Sequence, residues 1–310
     1  MSELISLIVP CYNEAQALPY FMEETARVTA QMSTVDFEII LVDDGSKDRT
    51  LELMREYAQK DDRVRYISFS RNFGKESAVY AGLEHAKGDY VAMMDADLQD
   101  PPSLLPTLYR AVKEEGYDSA ATRRVTRKGE PPIRSFFARL FYKLINKMTN
   151  IEIVDGARDF RLMNRKFVDA LLSLKEYNRF SKGLFGWVGF KTKWIEFENV
   201  ERVAGETKWS FWKLFKYSIE GFSAFTTMPL VLSCFIGAVF AGIAGIGLLV
   251  MLICALCGAA AAFGWVIAAV IMFFSGLQLF FIGVAGQYLA KMYLEIKNRP
   301  VYLIGETNIR

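Results

Sequence analysis

From Gly221 to Ala290 the chain runs for seventy residues without one Asp, Glu, Lys, Arg or His. A water-facing domain needs charge on its surface, so this stretch is expected to change solvent and enter lipid. Within it, Pro229 to about Leu256 and Trp265 to about Leu289 are each long enough to cross a hydrocarbon core of about 30 Å at 1.5 Å per residue. Two spans make a hairpin. Its connector, Gly258–Gly264, is short and uncharged, whereas Lys213 and Lys216 before the spans and Lys291, Lys297 and Arg299 after them are basic, so both ends are expected in the cytoplasm. The N-terminal Met1-Ser2-Glu3 is acidic and lacks a signal-peptide pattern, which agrees with a cytoplasmic N-terminal half at the plasma membrane. Gly237, Ala241 and Gly245 recur every four residues, a spacing that suits close helix packing in the hairpin or a homo-oligomer.

The charge lies almost entirely before these spans, and 37 Lys+Arg against 35 Asp+Glu leave only +2, too balanced for a nucleic-acid partner. Here apolar runs of strand length alternate with helical patterns. Ile5–Val9 stops at Pro10-Cys11-Tyr12-Asn13-Glu14, with helix expected from Ala15 to Ala30. Phe37–Val42 closes on Asp43-Asp44-Gly45-Ser46, and Asp48 or Thr50 is placed to cap the helix Leu51–Lys60. Val64–Ser68 leads into Arg71-Asn72-Phe73-Gly74-Lys75 and a helix over Glu76–Ala86. This alternation predicts a parallel α/β sheet with right-handed crossovers. Polar side chains gather at the strand tips, the edge where ligands enter such sheets.

The most pointed tip is Tyr90 to Pro102, where an apolar run ends on Asp95-Ala96-Asp97-Leu98-Gln99-Asp100 before a double proline. Asp95 and Asp97 are expected on one side of an extended chain, able to hold a hard divalent cation together with a diphosphate. The single histidine, His85, cannot build a Ser-His pair, and Cys254-x-x-Cys257 sits at the end of a span with no second ligand pair.

Further along, Arg123 to Lys128 carries four cations in six residues, suited to a solvated loop, a phosphate or an anionic membrane surface. Ser135–Asn150 spaces Phe136, Phe137, Leu140, Phe141, Leu144, Ile145 and Met148 as one helical face with basic flanks; a core helix would read the same, but the abundant Phe and basic flanks suit a helix in the headgroup layer. Asp155 and Asp159 precede a helix ending at Ser173; they suit a cap and an ion pair, or a carboxylate that orients an acceptor. Trp194–Phe197 reads as an edge strand, and the basic loop Arg202 to Ser210 opens a second aromatic helix.

Taken in order, Pro10 to Glu14, Val42 to Ser46, Arg71 to Lys75, Asp95 to Pro102, Asp159-Phe160-Arg161-Leu162-Met163 and Arg202 to Trp209 resemble the inverting family-2 glycosyltransferases that load a sugar onto a polyprenyl phosphate. Within that family the likeness is to bactoprenol glucosyltransferases and, further off, dolichol-phosphate mannose synthase. It covers nearly the whole chain, including the two C-terminal spans. The resemblance implies a GT-A, Rossmann-like domain, a nucleotide-sugar donor such as UDP-glucose, Mg2+ or Mn2+, and undecaprenyl phosphate as acceptor. It places the donor at Pro10, Tyr12, Asn13, Glu14, Asp44, Asp95, Ala96, Asp97 and Gln99, with Lys75 near the base. The metal falls to Asp95, Asp97 and Gln99, acceptor positioning to Asp159 or Asp155, and the lipid phosphate to Arg123, Arg134, Arg202 and Lys208. One departure stands out: where the family often has Gly before the Asp-Phe-Arg run, this chain has Arg158.

The organisation expected is a GT-A core over 1–134, an acceptor-side part with interface helices over 135–228, two spans over 229–290 and a cytoplasmic tail over 291–310. A processive synthase would want more spans and a Gln-x-x-Arg-Trp motif. A scaffold that binds nucleotide sugars without chemistry would not need all three acids, and a nucleotidyltransferase would release pyrophosphate. The sugar, the downstream glycan and a flippase partner leave no trace in the chain, with N-acetylglucosamine and mannose standing beside glucose.

Overall fold

The computed structural model describes residues 2–125, 154, 156–198, 226–256 and 264–309. The chain divides into two compact units, Met1–Ser218 with Arg299–Arg310, and Ile219–Asn298.

The first unit is built on an eight-stranded sheet. In chain order its strands are β1 (Glu3–Cys11), β2 (Val35–Asp43), β3 (Val64–Phe69), β4 (Tyr90–Met93), β5 (Ser119–Arg124), β6 (Ala157–Asn164), β7 (Thr192–Phe197) and β8 (Ile304–Thr307). Their spatial order is β7-β5-β6-β4-β1-β2-β3-β8. The first four are parallel, as the alternating sequence predicts. Helices α1 (Leu18–Gln31), α2 (Thr50–Lys60) and α3 (Lys75–His85) make the crossovers. Beyond them, among the described residues, come α4 (Leu105–Lys113), α5 (Arg165–Ser173) and α6 (Ser181–Trp187).

Two strands correct the parallel expectation. β6 runs antiparallel between β4 and β5, and β8 antiparallel along β3. β6 therefore enters the sheet at the edge where β1 and β4 end, and its first residues face their tips. β8 comes from the segment expected as a tail: Tyr66 N–H donates to Asn308 Oδ1 at 2.7 Å, and Arg55 pairs with Glu306 at 2.5 Å. Trp194–Phe197 falls within β7, at the sheet's other edge, as expected.

Sheet residues divide by parity. Phe160 and Leu162 join Ile5, Leu7, Ala92, Leu105 and Leu108 in the core under α4 and α1. Asp159 and Arg161 face the opposite side, where Phe185 of α6 covers Arg161. On that side α3 lies close on β1, because a Cβ at Gly82 would stand 2.2 Å from Ile8 Cγ2. This close approach fixes where the N-terminus of α3, and with it Lys75, meets the sheet edge.

Among the described residues the second unit is two long helices, α7 (Met228–Leu256) and α8 (Gly264–Ile296). Both pass the length and composition needed to cross a hydrocarbon core, over Met228–Gly247 at a mean hydropathy of 2.3 and Val270–Ile296 at 1.7. They pack through Phe240 against Phe273 and Phe274, while Phe235, Ile246, Leu279 and Phe280 face outward, exposed. Outward apolar side chains on helices that carry no charge before Lys291 suit lipid as the solvent. The chain leaves the sheet unit for this pair and returns to it as β8. The interface helices expected over 135–150 and after Ser210 lie outside the described residues.

Candidate active site

The parallel tips are held by a small set of polar contacts. After β1, Asn13 takes a left-handed φ of 53°, a conformation Asn tolerates better than most residues. Its N–H donates to Ser46 Oγ at 2.9 Å, and its Oδ1 accepts from Lys47 N–H at 2.8 Å. Glu14 N–H donates to Thr50 Oγ1, and Ala15 N–H to Asp48 Oδ2. With those two amides tied to the β2 tip, α1 starts at Leu18 rather than at Ala15. Pro10 and Cys11 lie in β1 itself. Burial pushes the Cys11 thiol up, so it stays protonated and unreactive.

Asp44 follows β2 and is buried. Its Oδ1 accepts from Phe73 N–H at 2.6 Å and Gly74 N–H at 3.0 Å, which anchors the loop that delivers Lys75. Burial raises its carboxyl above the usual range, opposed by those two amides. Next to it Gly45 has φ +67°, and a Cβ there would meet Arg71 C at 2.5 Å. A Gly45→Ala variant is therefore expected to shift residues 71–75 and to melt about 5 °C or more lower, through left-handed strain and overpacking together. Thermal unfolding of the variant beside the wild type would read the effect.

The acids come next. β4 ends at Met93, so Asp95 and Asp97 stand on a turn, with Leu98 at φ 58°, and not on the extended strand expected. Double proline and a left-handed residue close the turn before α4. Gln99 N–H donates to Asp97 Oδ1 at 3.2 Å. Asp159 arrives from β6, whose register sets Arg161 opposite Met93. Lys75 Nζ bridges the two elements, 2.8 Å from Asp95 Oδ2 and 2.5 Å from Asp159 Oδ2. Loss of water works against the Lys75 charge, but the attraction of Asp159 and Asp95 outweighs it and holds the ammonium above its ordinary range. Burial alone would raise Asp159; Lys75 and Lys182 instead hold it well below the carboxylate range. It is ionised at any physiological pH.

On the reverse parity of β6, Arg158 reaches the same turn from the other face. Its Nε donates to Asp100 Oδ1 at 2.9 Å, and its Nη2 reaches Gln99 Oε1 at 3.4 Å. Burial pushes Asp100 up to about 6, against the pull of Arg158. Successive β6 residues thus grip the Asp95–Asp100 turn from its two sides. The donors offered there, two carboxylates and an amide oxygen, are hard oxygens, the type that takes Mg2+ or Mn2+ when a diphosphate supplies the remaining ligands. Among the described residues no group of three His, Cys, Asp or Glu forms a self-contained metal cage.

Of the residues expected at the site, Pro10, Tyr12, Asn13, Glu14, Asp44, Lys75, Asp95, Ala96, Asp97, Gln99 and Asp159 all belong to the tips and turns of one sheet edge. Lys75, expected near the base, contacts the acids. Arg123 lies on β5 opposite Ala157, with Glu196 3.7 Å away. Asp155, Arg134, Arg202 and Lys208 lie outside the described residues. The sequence did not single out Lys182, whose Nζ stands 3.9 Å from Asp159 Oδ1. It also named Arg161 only within a motif, yet its guanidinium is buried 3.7 Å over Phe185, with Nε and Nη1 unpartnered. Burial drives the Arg161 charge down to about 9 while Asp159 supports it.

CsbB of Bacillus subtilis (strain 168) is 42% identical over 307 residues, covering 99% of this chain and 92% of that protein. The prophage bactoprenol glucosyl transferase homolog of Escherichia coli (strain K12) is 40% identical over 97% of this chain and 98% of its own. Among solved structures, mannosyl-3-phosphoglycerate synthase from Rubrobacter xylanophilus overlaps 70% of this chain and 71% of its own at 18% identity, with a TM-score of 0.48. The family model described as glycosyl transferase family 2 matches residues 6–172, the segment that runs from β1 through Asp95, Asp97 and Asp159 into α5. With that match and a 42% identical relative along nearly its whole length, the chain belongs to glycosyl transferase family 2 and is a glycosyltransferase of the GT-A fold.

Proposed function

We propose that the protein transfers a hexose, glucose from UDP-glucose in first place, to undecaprenyl phosphate at the cytoplasmic face of the plasma membrane, with inversion at the anomeric carbon. The observation that carries this reading is the meeting of Asp95 and Asp159 through Lys75, which puts a donor-side acid and an acceptor-side acid at one sheet edge. The choice of acceptor is supported by relatives named as bactoprenol glucosyl transferases, aligned over 97% of this chain and so over both apolar helices. The multi-pass arrangement rests on α7 and α8, an even number of spans that returns the chain to the sheet unit.

In this reading Pro10, Tyr12, Asn13, Glu14, Asp44 and Ala96 shape the nucleotide-sugar pocket. Asp95, Asp97 and Gln99 would hold Mg2+ or Mn2+, which when bound supplies positive charge to the departing diphosphate. A phosphate monoester is already largely ionised near pH 7, so Asp159 has little proton to remove. Its part is to orient the sugar and attacker, with Lys75 holding it in register. The lipid phosphate's oxygen forms a bond to the anomeric carbon, the bond from that carbon to the diphosphate breaks, and its electron pair leaves with the nucleoside diphosphate. Asp155 is a second carboxylate for the orienting role, and Arg123, Arg134, Arg202 and Lys208 are cations that would help draw the lipid phosphate to this edge. The helices α7 and α8, with small residues at Gly237 and Gly245, would anchor the enzyme and offer a surface for self-association.

The test is incubation of membranes carrying the protein with a panel of labelled nucleotide sugars, followed by extraction of the lipid phase. The expected result is label from UDP-glucose in a prenyl monophosphate, with UDP released. No lipid label from any donor, or release of pyrophosphate, would overturn the reading.

A further inference from the structure

We infer that Lys182 and Arg161 form the seat of the acceptor's phosphate, on the side of Asp159 turned away from the donor. This rests on the function proposed above and assigns a place to its second substrate.

The two carboxylate oxygens of Asp159 face different partners. Oδ2 takes Lys75, which also holds Asp95 and so belongs to the donor side. Oδ1 looks toward α6, where Lys182 Nζ stands 3.9 Å away and donates to Ala157 O at 3.3 Å. An ammonium carries three donors, and these two contacts are long; a phosphoryl oxygen would complete the set at shorter range. Two residues along β6, on the same face as Asp159, lies Arg161. It is 3% exposed, and its Nε and Nη1 have no hydrogen-bond partner. A buried guanidinium left in that state is costly unless a further group accepts from it, and a phosphate is the acceptor its fork suits.

The reaction itself requires the arrangement. In a single displacement the attacker reaches the anomeric carbon from the face opposite the leaving diphosphate. With the diphosphate at Asp95 and Asp97, the attacking phosphate must arrive beyond Asp159, where Lys182 and Arg161 offset the repulsion between two anions. The structure also shows what places Lys182. Glu76, next to Lys75, accepts from Ser181 N–H at 3.0 Å and from the Ser181 hydroxyl, so the start of α6 is tied to the start of α3. Lys75 and Lys182 are thereby set on either side of Asp159 by one linkage. Arg123, on β5 opposite Ala157, borders the same ground.

The experiment uses the full chain in detergent with farnesyl phosphate as acceptor and the nucleotide sugar that labels lipid in the assay above. Lys182→Gln is expected to raise the KM for farnesyl phosphate about 10- to 100-fold, the loss of one charge-assisted contact, with the KM for the nucleotide sugar within about twofold. Lys182→Arg should recover most of the acceptor affinity, which a merely structural lysine would not predict. Arg161→Lys should move the same parameter; should it fail to fold, the Lys182 pair decides alone. An unchanged acceptor KM in Lys182→Gln, or donor and acceptor KM rising together, would overturn the site. A wild-type chain inert toward every prenyl phosphate would overturn the proposed function and this site with it, an outcome distinct from an active wild type with an indifferent Lys182→Gln.

Discussion

In the function proposed above, Asp97→Ala is expected to lower sugar transfer at least about 1,000-fold, and a chelator to do the same to the wild-type protein, because several kcal/mol of charge neutralisation on the departing diphosphate would depend on a cation at this turn. Asp97 is 8% exposed, and its Oδ1 already accepts from Gln99 N–H, so its carboxylate is fixed in direction before any ligand arrives. The substitution removes a side chain from a turn, not from the core, and the melting temperature should move little. Adding Mg2+ or Mn2+ should restore the chelated wild type and leave Asp97→Ala inert. Asp95→Ala should be comparably severe, and it also frees one contact of Lys75, whose ammonium would then rest on Asp159 alone. Turnover unchanged in the presence of chelator would reject metal assistance, and unchanged turnover in Asp97→Ala would reject this turn as its seat.

Much of this edge was legible because each tip follows a long apolar run and is punctuated by Gly or Pro. The tips of β1, β2, β3 and β4 could be read that way from the sequence alone. β6 could not: Ala-Arg-Asp-Phe-Arg-Leu-Met-Asn alternates charge with bulk, and the charged positions made it look like the lead-in to α5. Only in the sheet does the alternation make sense, with Phe160 and Leu162 in the core and Asp159 held among cations on the other face. β8 was hidden for a different reason. Ile-Gly-Glu-Thr has too little apolar content to announce a strand, and its stability comes from partners some 240 residues away, Tyr66 and Arg55 among them. Tyr302, just before it, stacks on Phe69 at 4.9 Å. Lys75 and Asp159 are 84 residues apart, and Lys182 sits in an aromatic, Gly-rich stretch that gives no sign of chemistry. Sequence periodicity reports which face of an element is buried; it does not report which two elements will bring their charges together.

Arg158, singled out in the sequence as a departure from the resemblance, supplies the test with the largest expected effect on stability. Arg158→Ala would leave Asp100, whose side chain is wholly buried, without the guanidinium now 2.9 Å away. An uncompensated buried carboxylate costs about 3–5 kcal/mol, and for a unit of this size that corresponds to a melting temperature lower by roughly 10 °C. Arg158→Ala with Asp100→Asn should be clearly less damaging than Arg158→Ala alone, because the second change removes the charge that the first one strands. The sign of the pH dependence follows from the same pair. Burial already lifts the Asp100 carboxyl to about 6 with Arg158 present, above its unfolded value, so protonation favours the folded state. The single variant's deficit should therefore grow as the pH rises above 6, where the stranded carboxyl, lifted further without Arg158, must keep a proton that the unfolded chain gives up, and should shrink as the pH falls below 6, where Asp100 is neutral in both proteins. If Arg158→Ala and the double variant melt together at every pH, the pair is not what holds the turn. The grip on Asp97 would then have to come from Leu98, Pro101 and Pro102, and a side chain at position 158 would be dispensable for it.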